Sequence, residues 1–351
     1  MAAILTTDHL PGRTILHNNR EYLFFSGTSY LGIPQNTEFQ QLLIESLSRY
    51  GTMFGSSRNG NLRLSIYEEA ERQIAALTGA EAALTLSSGM MAGQVVANYL
   101  RAQQYSFLYG PCTHPALWHE PTVDLPTLSF VDWTDRLPDL LTITGHAVIA
   151  VNSIDAVRSE AYPFDWVNQL PTDQPITLVV DDSHGLGVLR EAGSGIWQQI
   201  PRRPNVRLIV TASLAKAMGL PGGVVFSDAE TIAAIQHTAF FGACSPIPPA
   251  YLDAFRKAET IYTQARIRLT QNIALAERLL LPTGLFRQAA GYPVFYTEWD
   301  ELYPFLLENG IFIYSFAYPT PADKANTRIV ISAFHEPEDI NRLAACIYEL
   351  R

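Results

Sequence analysis

The 351-residue sequence predicts an α/β fold, with a large domain built on a mostly parallel seven-stranded sheet between helices and a small α+β domain at the C-terminal end. Three observations carry that reading. From about residue 82 to residue 227, short apolar runs rich in β-formers recur, and several are continuous instead of alternating, as strands buried on both faces require. Helical periodicity falls between some of these runs, the pattern left by right-handed crossovers. The length also exceeds the roughly 100–200 residues usual for one domain.

Taken in order, residues 37–49 and 66–77 read as amphipathic helices. Between them lies Gly51-Thr-Met-Phe-Gly-Ser-Ser-Arg-Asn-Gly, a loop flexible enough to meet a ligand or a partner subunit. The strands of the large domain are expected at 83–86, 106–109, 127–131, 147–151, 176–180, 208–211 and 223–226, with a helix over 90–101. After Pro246-Ile-Pro-Pro a single long helical pattern runs over 250–280. Strands at 294–298, 312–316 and 328–333 and a closing helix at 337–350 complete a small domain. The expected division is an N-terminal segment 1–50 joining the small domain, a large domain 51–250 and a small domain 251–351.

Composition excludes several classes. A formal net charge of −10 without Lys/Arg runs argues against nucleic acid and against an anionic membrane surface. Cys112, Cys244 and Cys346 are too scattered for a disulfide framework, and no Cys/His cluster suggests a metal, so a soluble protein of the reducing cytoplasm is expected. The first twelve residues lack the pattern of a signal peptide, and no apolar run approaches a bilayer span.

The chain has three lysines, so each can be judged by its setting. Lys257 and Lys324 stand in polar segments where a solvated role is expected. Lys216 stands among small and apolar residues, in Thr211-Ala-Ser-Leu-Ala-Lys-Ala-Met-Gly, just after an apolar run. Such a setting favours the neutral amine that forms an imine with an aldehyde cofactor such as pyridoxal 5′-phosphate (PLP). The plain alternative is a lysine reaching out of a helix start. Ser87-Ser-Gly-Met-Met-Ala lies where a strand gives way to a helix, which suits a phosphate as well as an ordinary N-cap. Ile176-Thr-Leu-Val-Val-Asp-Asp-Ser-His-Gly is a buried strand delivering two aspartates and a histidine at its carboxyl end. One carboxylate there would hold a cofactor ring nitrogen protonated, and because adjacent strand residues face opposite sides, either Asp181 or Asp182 could be the one. His114 could stack on a flat ring, Ser153 reaches the same edge, and Arg328 could clamp a carboxylate.

In this order, Ser29-Tyr-Leu-Gly, Gly55-Ser-Ser-Arg, Ser88-Gly-Met-Met-Ala, Thr113-His, Val180-Asp-Asp-Ser-His-Gly-Leu-Gly, Ser213-Leu-Ala-Lys-Ala-Met-Gly and Arg328-Ile-Val-Ile-Ser-Ala-Phe-His resemble the α-oxoamine synthase family of fold-type I PLP enzymes, from about residue 22 to residue 348. The resemblance implies Lys216 as the Schiff-base lysine, Asp181 as the pyridine-nitrogen partner, His184 beside the ring hydroxyl and His114 stacked on the ring. It implies Ser88, Gly89, Met90, Ser153, Ser213 and Ser245 around phosphate and ring, and Arg328, Thr320 and Thr28 toward the substrate. It further implies a homodimer with shared active sites, the N-terminal segment at its interface, and the Gly55-Ser-Ser-Arg loop and Ser245 supplied by the neighbour. The implied reaction condenses an amino acid with an acyl-CoA or other acyl thioester through a quinonoid carbanion, loses carbon dioxide and leaves an aminoketone. An aminotransferase or aldolase on the same scaffold, and a non-catalytic derivative, are the alternatives. The chain departs from the family's usual pattern at Thr28-Ser29, Tyr67 and Leu186, where Asn-Asp, histidine and threonine are common.

Overall fold

A computed structural model describes residues 5–142, 145–317 and 325–350. Two compact units emerge, one comprising residues 1–40, 155–161 and 260–351 and the other 41–154 and 162–259.

The second unit holds a six-stranded sheet in the order Ala82–Leu86, Gly223–Ser227, Val206–Ser213, Ile176–Asp181, Ala147–Asn152, Ser106–Tyr109. The last four of these strands are parallel, and Gly223–Ser227 runs against both of its neighbours. The α/β expectation holds, with one correction: six strands form, not seven, among the described residues. The missing strand, expected at 127–131, gives way to the helix Phe130–Leu141 because Ser129 caps it, accepting a hydrogen bond from Asp132 N. Pro126 just before it has no N–H to offer a ladder.

Continuous apolar runs form the central strands because both faces are covered. Every residue of Ile176–Asp181 is buried, as are all but the last of Ala147–Asn152. Val148, Ala150, Val179 and Ile209 pack on one face with Val95, Val96 and Leu100 of the helix Gly89–Arg101 and with Ile232 and Ile235 of the helix Ala229–Gln236. Burying such side chains contributes roughly 1.5–3 kcal/mol each.

The long helical pattern at 250–280 is two helices, Pro249–Lys257 and Glu259–Leu280, interrupted at Ala258 (φ −98°, ψ 17°). Lys257 is not simply solvated: its Nζ donates to Asp253 Oδ2 at 2.6 Å, and that buried carboxylate also accepts from Ser46 Oγ at 2.8 Å.

The first unit holds a five-stranded sheet in the order Thr14–His17, Arg20–Phe25, Ile311–Ala317, Ala325–Val330, Val294–Thr297. The hairpin that starts it turns through Asn18 and Asn19, with φ of 50° and 60°, the left-handed pair that a two-residue turn between twisted strands requires.

Candidate active site

Strand register decides which side chains meet at the carboxyl edge of the six-stranded sheet. Asn152 lies opposite Asp181, and Asp181 opposite Thr211. Because side chains alternate, Asn152 shares a face with Ala150, Asp181 with Val179, and Ser213 with Ile209, so all three emerge on the face covered by the helix Gly89–Arg101. Asp182, one residue on, turns to the other side. There its Oδ2 accepts from Ile196 N at 2.8 Å.

The helix Gly89–Arg101 meets this edge with its N-terminus. Ser88 caps it by accepting from Met91 N at 3.1 Å, and the first N–H groups, at Gly89 and Met90, have no acceptor within the helix. The approach is close enough to require glycine. A Cβ at Gly89 would stand 2.6 Å from Ser213 Cβ, and one at Gly223 only 2.3 Å from Ser88 O. Ser213 is held by its own turn, its N donating to Ser183 Oγ at 2.9 Å and its Oγ accepting from Ala215 N at 3.2 Å. Its hydroxyl hydrogen is thereby left to point elsewhere.

Three residues on, Lys216 is half-buried in a turn closed by Leu220 N to Leu214 O (2.9 Å) and Gly219 N to Lys216 O (3.1 Å). His114 caps a short helix Pro115–Leu117, its Nδ1 accepting from Ala116 N at 3.1 Å and standing 3.7 Å from Asp181 Oδ2. Asp181 Oδ1 accepts from Ser183 N at 2.9 Å, which fixes the carboxylate's plane. Burial holds the His114 pKa below the usual imidazole value; the Asp181 carboxylate pulls it up and the Lys216 ammonium pushes it down. His184 lies half-buried in the turn after Asp181, closed by Gly185 N and Leu186 N on Asp182 O.

The structure thus brings together Ser88, Gly89, His114, Asp181, Ser213 and Lys216 from four segments of one unit. It turns Ser153 elsewhere. The Ser153 hydroxyl lies on the Asp182 side, near enough to oppose the rise of that carboxyl's pKa, yet neither Ser153 Oγ nor Asp182 Oδ1 completes a well-aligned hydrogen bond. Burial, the largest influence, pushes the Asp182 carboxyl up to about 7. Ser245 and Met90 are exposed in this unit. Arg328 and Thr28 belong to the other unit. There Arg328, 6% exposed, donates from Nη1 to Ala156 O at 2.6 Å and lies 3.9 Å over the Tyr314 ring, while Thr28 is half-buried. Thr320 lies outside the described residues.

Sequence reasoning missed the setting of Arg58. It lies at the end of the supposedly pliable loop and is clamped in its own unit by both oxygens of Glu71 (2.6 and 2.9 Å), over the rings of Tyr67 and Phe241. It also missed Asn152, which signalled itself only by being a polar residue at the end of a buried strand.

These residues fit the cofactor expected from the sequence. A carboxylate of fixed plane suits a ring nitrogen, a flat imidazole stands beside it, a lysine lies in the turn after the neighbouring strand, and free N–H groups with the Ser213 hydroxyl suit a phosphate.

Residues 43–347 match the family described as aminotransferase class I and II. The chain belongs to that family. Within it, the chain is similar to an 8-amino-7-oxononanoate synthase of Geobacter sulfurreducens, 27% identical over 96% of this chain and 90% of that protein, and to one of Vibrio cholerae, 28% identical over 94% and 88%. The α-oxoamine synthase resemblance is borne out by these relatives. Solved structures share the fold: a serine palmitoyltransferase from S. paucimobilis with bound PLP (16% identity, 99% of this chain and 93% of that one, TM-score 0.82) and an 8-amino-7-oxononanoate synthase from Francisella tularensis (20%, 94% and 97%, 0.73).

Proposed function

We propose that this protein is a PLP-dependent acyltransferase that joins the α-carbon of an amino acid to the acyl carbon of an acyl-CoA or related thioester. The single observation that carries the reading is the convergence of His114, Asp181 and Lys216 at the carboxyl edge of the sheet, beside the start of the helix Gly89–Arg101. When bound, PLP supplies an aldehyde that captures amines and a ring that takes up electrons from the α-carbon.

The chain's own residues do the remainder. The Asp181 carboxylate, its plane set by Ser183 N–H, keeps a proton on the ring nitrogen. The N–H groups of Gly89 and Met90 and the Ser213 hydroxyl would hold the phosphate, and His114 would cover the ring. His184, by the same resemblance, would meet the ring hydroxyl. Lys216 Nζ would hold the aldehyde and, once free, would take the α-proton. The resemblance to α-oxoamine synthases assigns Arg328, Thr28 and Thr320 to the substrate's polar groups. A carbon–carbon bond would form as the carbon–sulfur bond breaks and the thiolate leaves; carbon dioxide would then be lost, and Lys216 would return its proton to that carbon to give the aminoketone.

The same reading makes the protein a cytoplasmic homodimer in which the Gly55-Ser-Ser-Arg loop and Ser245 reach the neighbour's site. Among the described residues no helix is long and apolar enough to cross a membrane.

The test is the visible spectrum of the protein loaded with PLP, with borohydride trapping and CoA release measured on a panel of amino acids. An imine band fixed by borohydride onto Lys216 and absent from Lys216→Ala, with CoA released only when both substrates are present, is the expected result. A Lys216 adduct with amino-group transfer to an oxo acid and no CoA release would make it an aminotransferase. No band, or an equal one in Lys216→Ala, overturns the reading.

A further inference from the structure

We propose that Asn152 is a positioning residue that fixes both the ring orientation and the proton of His114, holding the imidazole in its Nε2–H form. The inference deepens the reading of His114 as a ring beside the cofactor and rests on it for its functional meaning, though its geometry stands alone.

Asn152 ends the strand Ala147–Asn152 and faces the same side as Asp181, its partner in register. Its side chain does two things at once. Oδ1 accepts from His114 N at 3.1 Å, and Nδ2 donates to Cys112 O at 2.7 Å. The backbone between those two groups is bent, with Cys112 at φ 56°, a conformation that a non-glycine residue adopts only when its surroundings hold it. Thr113, in the middle, is 1% exposed and directs its hydroxyl to Gly110 O (2.7 Å) and Ala150 O (3.0 Å). The strand therefore grips this loop at two points two residues apart, the Ala150 carbonyl and the Asn152 side chain.

The consequence reaches the ring through the backbone. With its N–H tied to Asn152, His114 enters the short helix Pro115–Leu117 as its cap, and Nδ1 accepts from Ala116 N at 3.1 Å. A ring nitrogen that accepts cannot carry the proton, so the neutral imidazole has its hydrogen on Nε2. Asp181 pulls the other way. Its Oδ2, 3.7 Å from Nδ1, is too distant for a good hydrogen bond, but its charge favours a proton on that nitrogen. The groups that face the ring are thus the Ala116 N–H, the Asp181 carboxylate and the Lys216 ammonium. What keeps Nδ1 turned to Ala116 and not to Asp181 is the turn: Gln94 Nε2 holds its far end through Ala116 O (3.1 Å) and Trp118 O (2.9 Å), and Asn152 ties down the N–H of His114 itself. An imidazole held this way presents a neutral flat face and does not offer Nδ1 as a base.

The test uses nitrogen-15 labelled histidine in the full chain, with and without PLP. In the wild type the two His114 nitrogens should give the well-separated signals of a single Nε2–H tautomer. Asn152→Ala should bring them toward the averaged values of a mixture, move the His114 titration back up toward the ordinary imidazole value, and raise the PLP dissociation constant about tenfold, as the loss of one or two net hydrogen bonds implies. Asn152→Asp keeps an acceptor for His114 N–H but loses the donor to Cys112 O, and should fall between. A wild-type Nδ1–H tautomer, which needs no variant to detect, or unchanged His114 signals in Asn152→Ala, would overturn the proposal. His114→Ala that binds PLP as the wild type does would instead remove His114 from the cofactor while leaving the Asn152 coupling standing.

Discussion

Two histidines, one in each unit, show what separates a buried structural ring from one at the proposed site. His335 spends both nitrogens on backbone: Nδ1 accepts from Ser332 N at 3.0 Å, Nε2 donates to Phe24 O at 2.9 Å, and the ring stacks on Phe25 at 4.1 Å. Burial pushes its pKa down to about 4. His114 is also depressed by burial, but it spends Nδ1 on its own turn, stands beside a carboxylate, and leaves 40% of its side chain exposed. Desolvation alone therefore does not mark a site. The open nitrogen and the neighbouring charge do.

The largest effect should come from breaking His335. Replacing it by alanine strands two buried backbone groups and leaves a cavity beneath Phe25, so His335→Ala should lose about 2–4 kcal/mol in denaturant unfolding. The PLP dissociation constant of the folded fraction should stay put. The wild type carries the same dependence as an acid limb. Because the folded pKa lies below the unfolded one, stability is full above about 6.5 and is lost as pH falls toward about 4, at on the order of 1.4 kcal/mol per pH unit. An acid limb that survives unchanged in His335→Gln would assign the effect elsewhere.

Asp182 provides the opposite sign. Its folded pKa is raised to about 7, so its contribution is most favourable below the unfolded carboxylate value and is lost as pH rises from about 4 through 7. Asp182→Asn, which still offers an oxygen to Ile196 N, should flatten unfolding free energy across that window, and a slope equal to wild type would refute it.

His114→Ala comes next in size. It should leave unfolding within about 1 kcal/mol of wild type, since the ring is half exposed, while weakening PLP about tenfold. The reverse pattern, lost stability with intact binding, would make His114 a second His335.

Much of this arrangement was legible in the sequence. Continuous apolar runs announced a sheet covered on both faces, and the scarcity of lysine singled out Lys216. The failures share a cause, which is that side-chain hydrogen bonds and backbone conformations of single residues override local patterns. Ser129 converts an apolar run into a helix, Glu71 draws Arg58 out of a loop that reads as pliable, and Asn18-Asn19 makes a hairpin that apolar periodicity does not announce. Asn152 was invisible because its role depends on register with Asp181, a relation between strands that one strand's sequence does not contain.

The smallest effect is also the sharpest test of strand parity. Ser153 was expected at the cofactor, yet alternation places it with Asp182, on the face away from Asp181 and Asn152. If parity governs, Ser153→Ala removes a buried hydroxyl that completes no well-aligned hydrogen bond, and should change stability by no more than about 0.5 kcal/mol with the PLP dissociation constant unchanged. It should also lift the Asp182 pKa a little further, because the hydroxyl now opposes that rise. A tenfold loss of PLP binding in Ser153→Ala would mean that the hydroxyl swings to the Asp181 face when the cofactor arrives. The two faces of this strand end would then be one site.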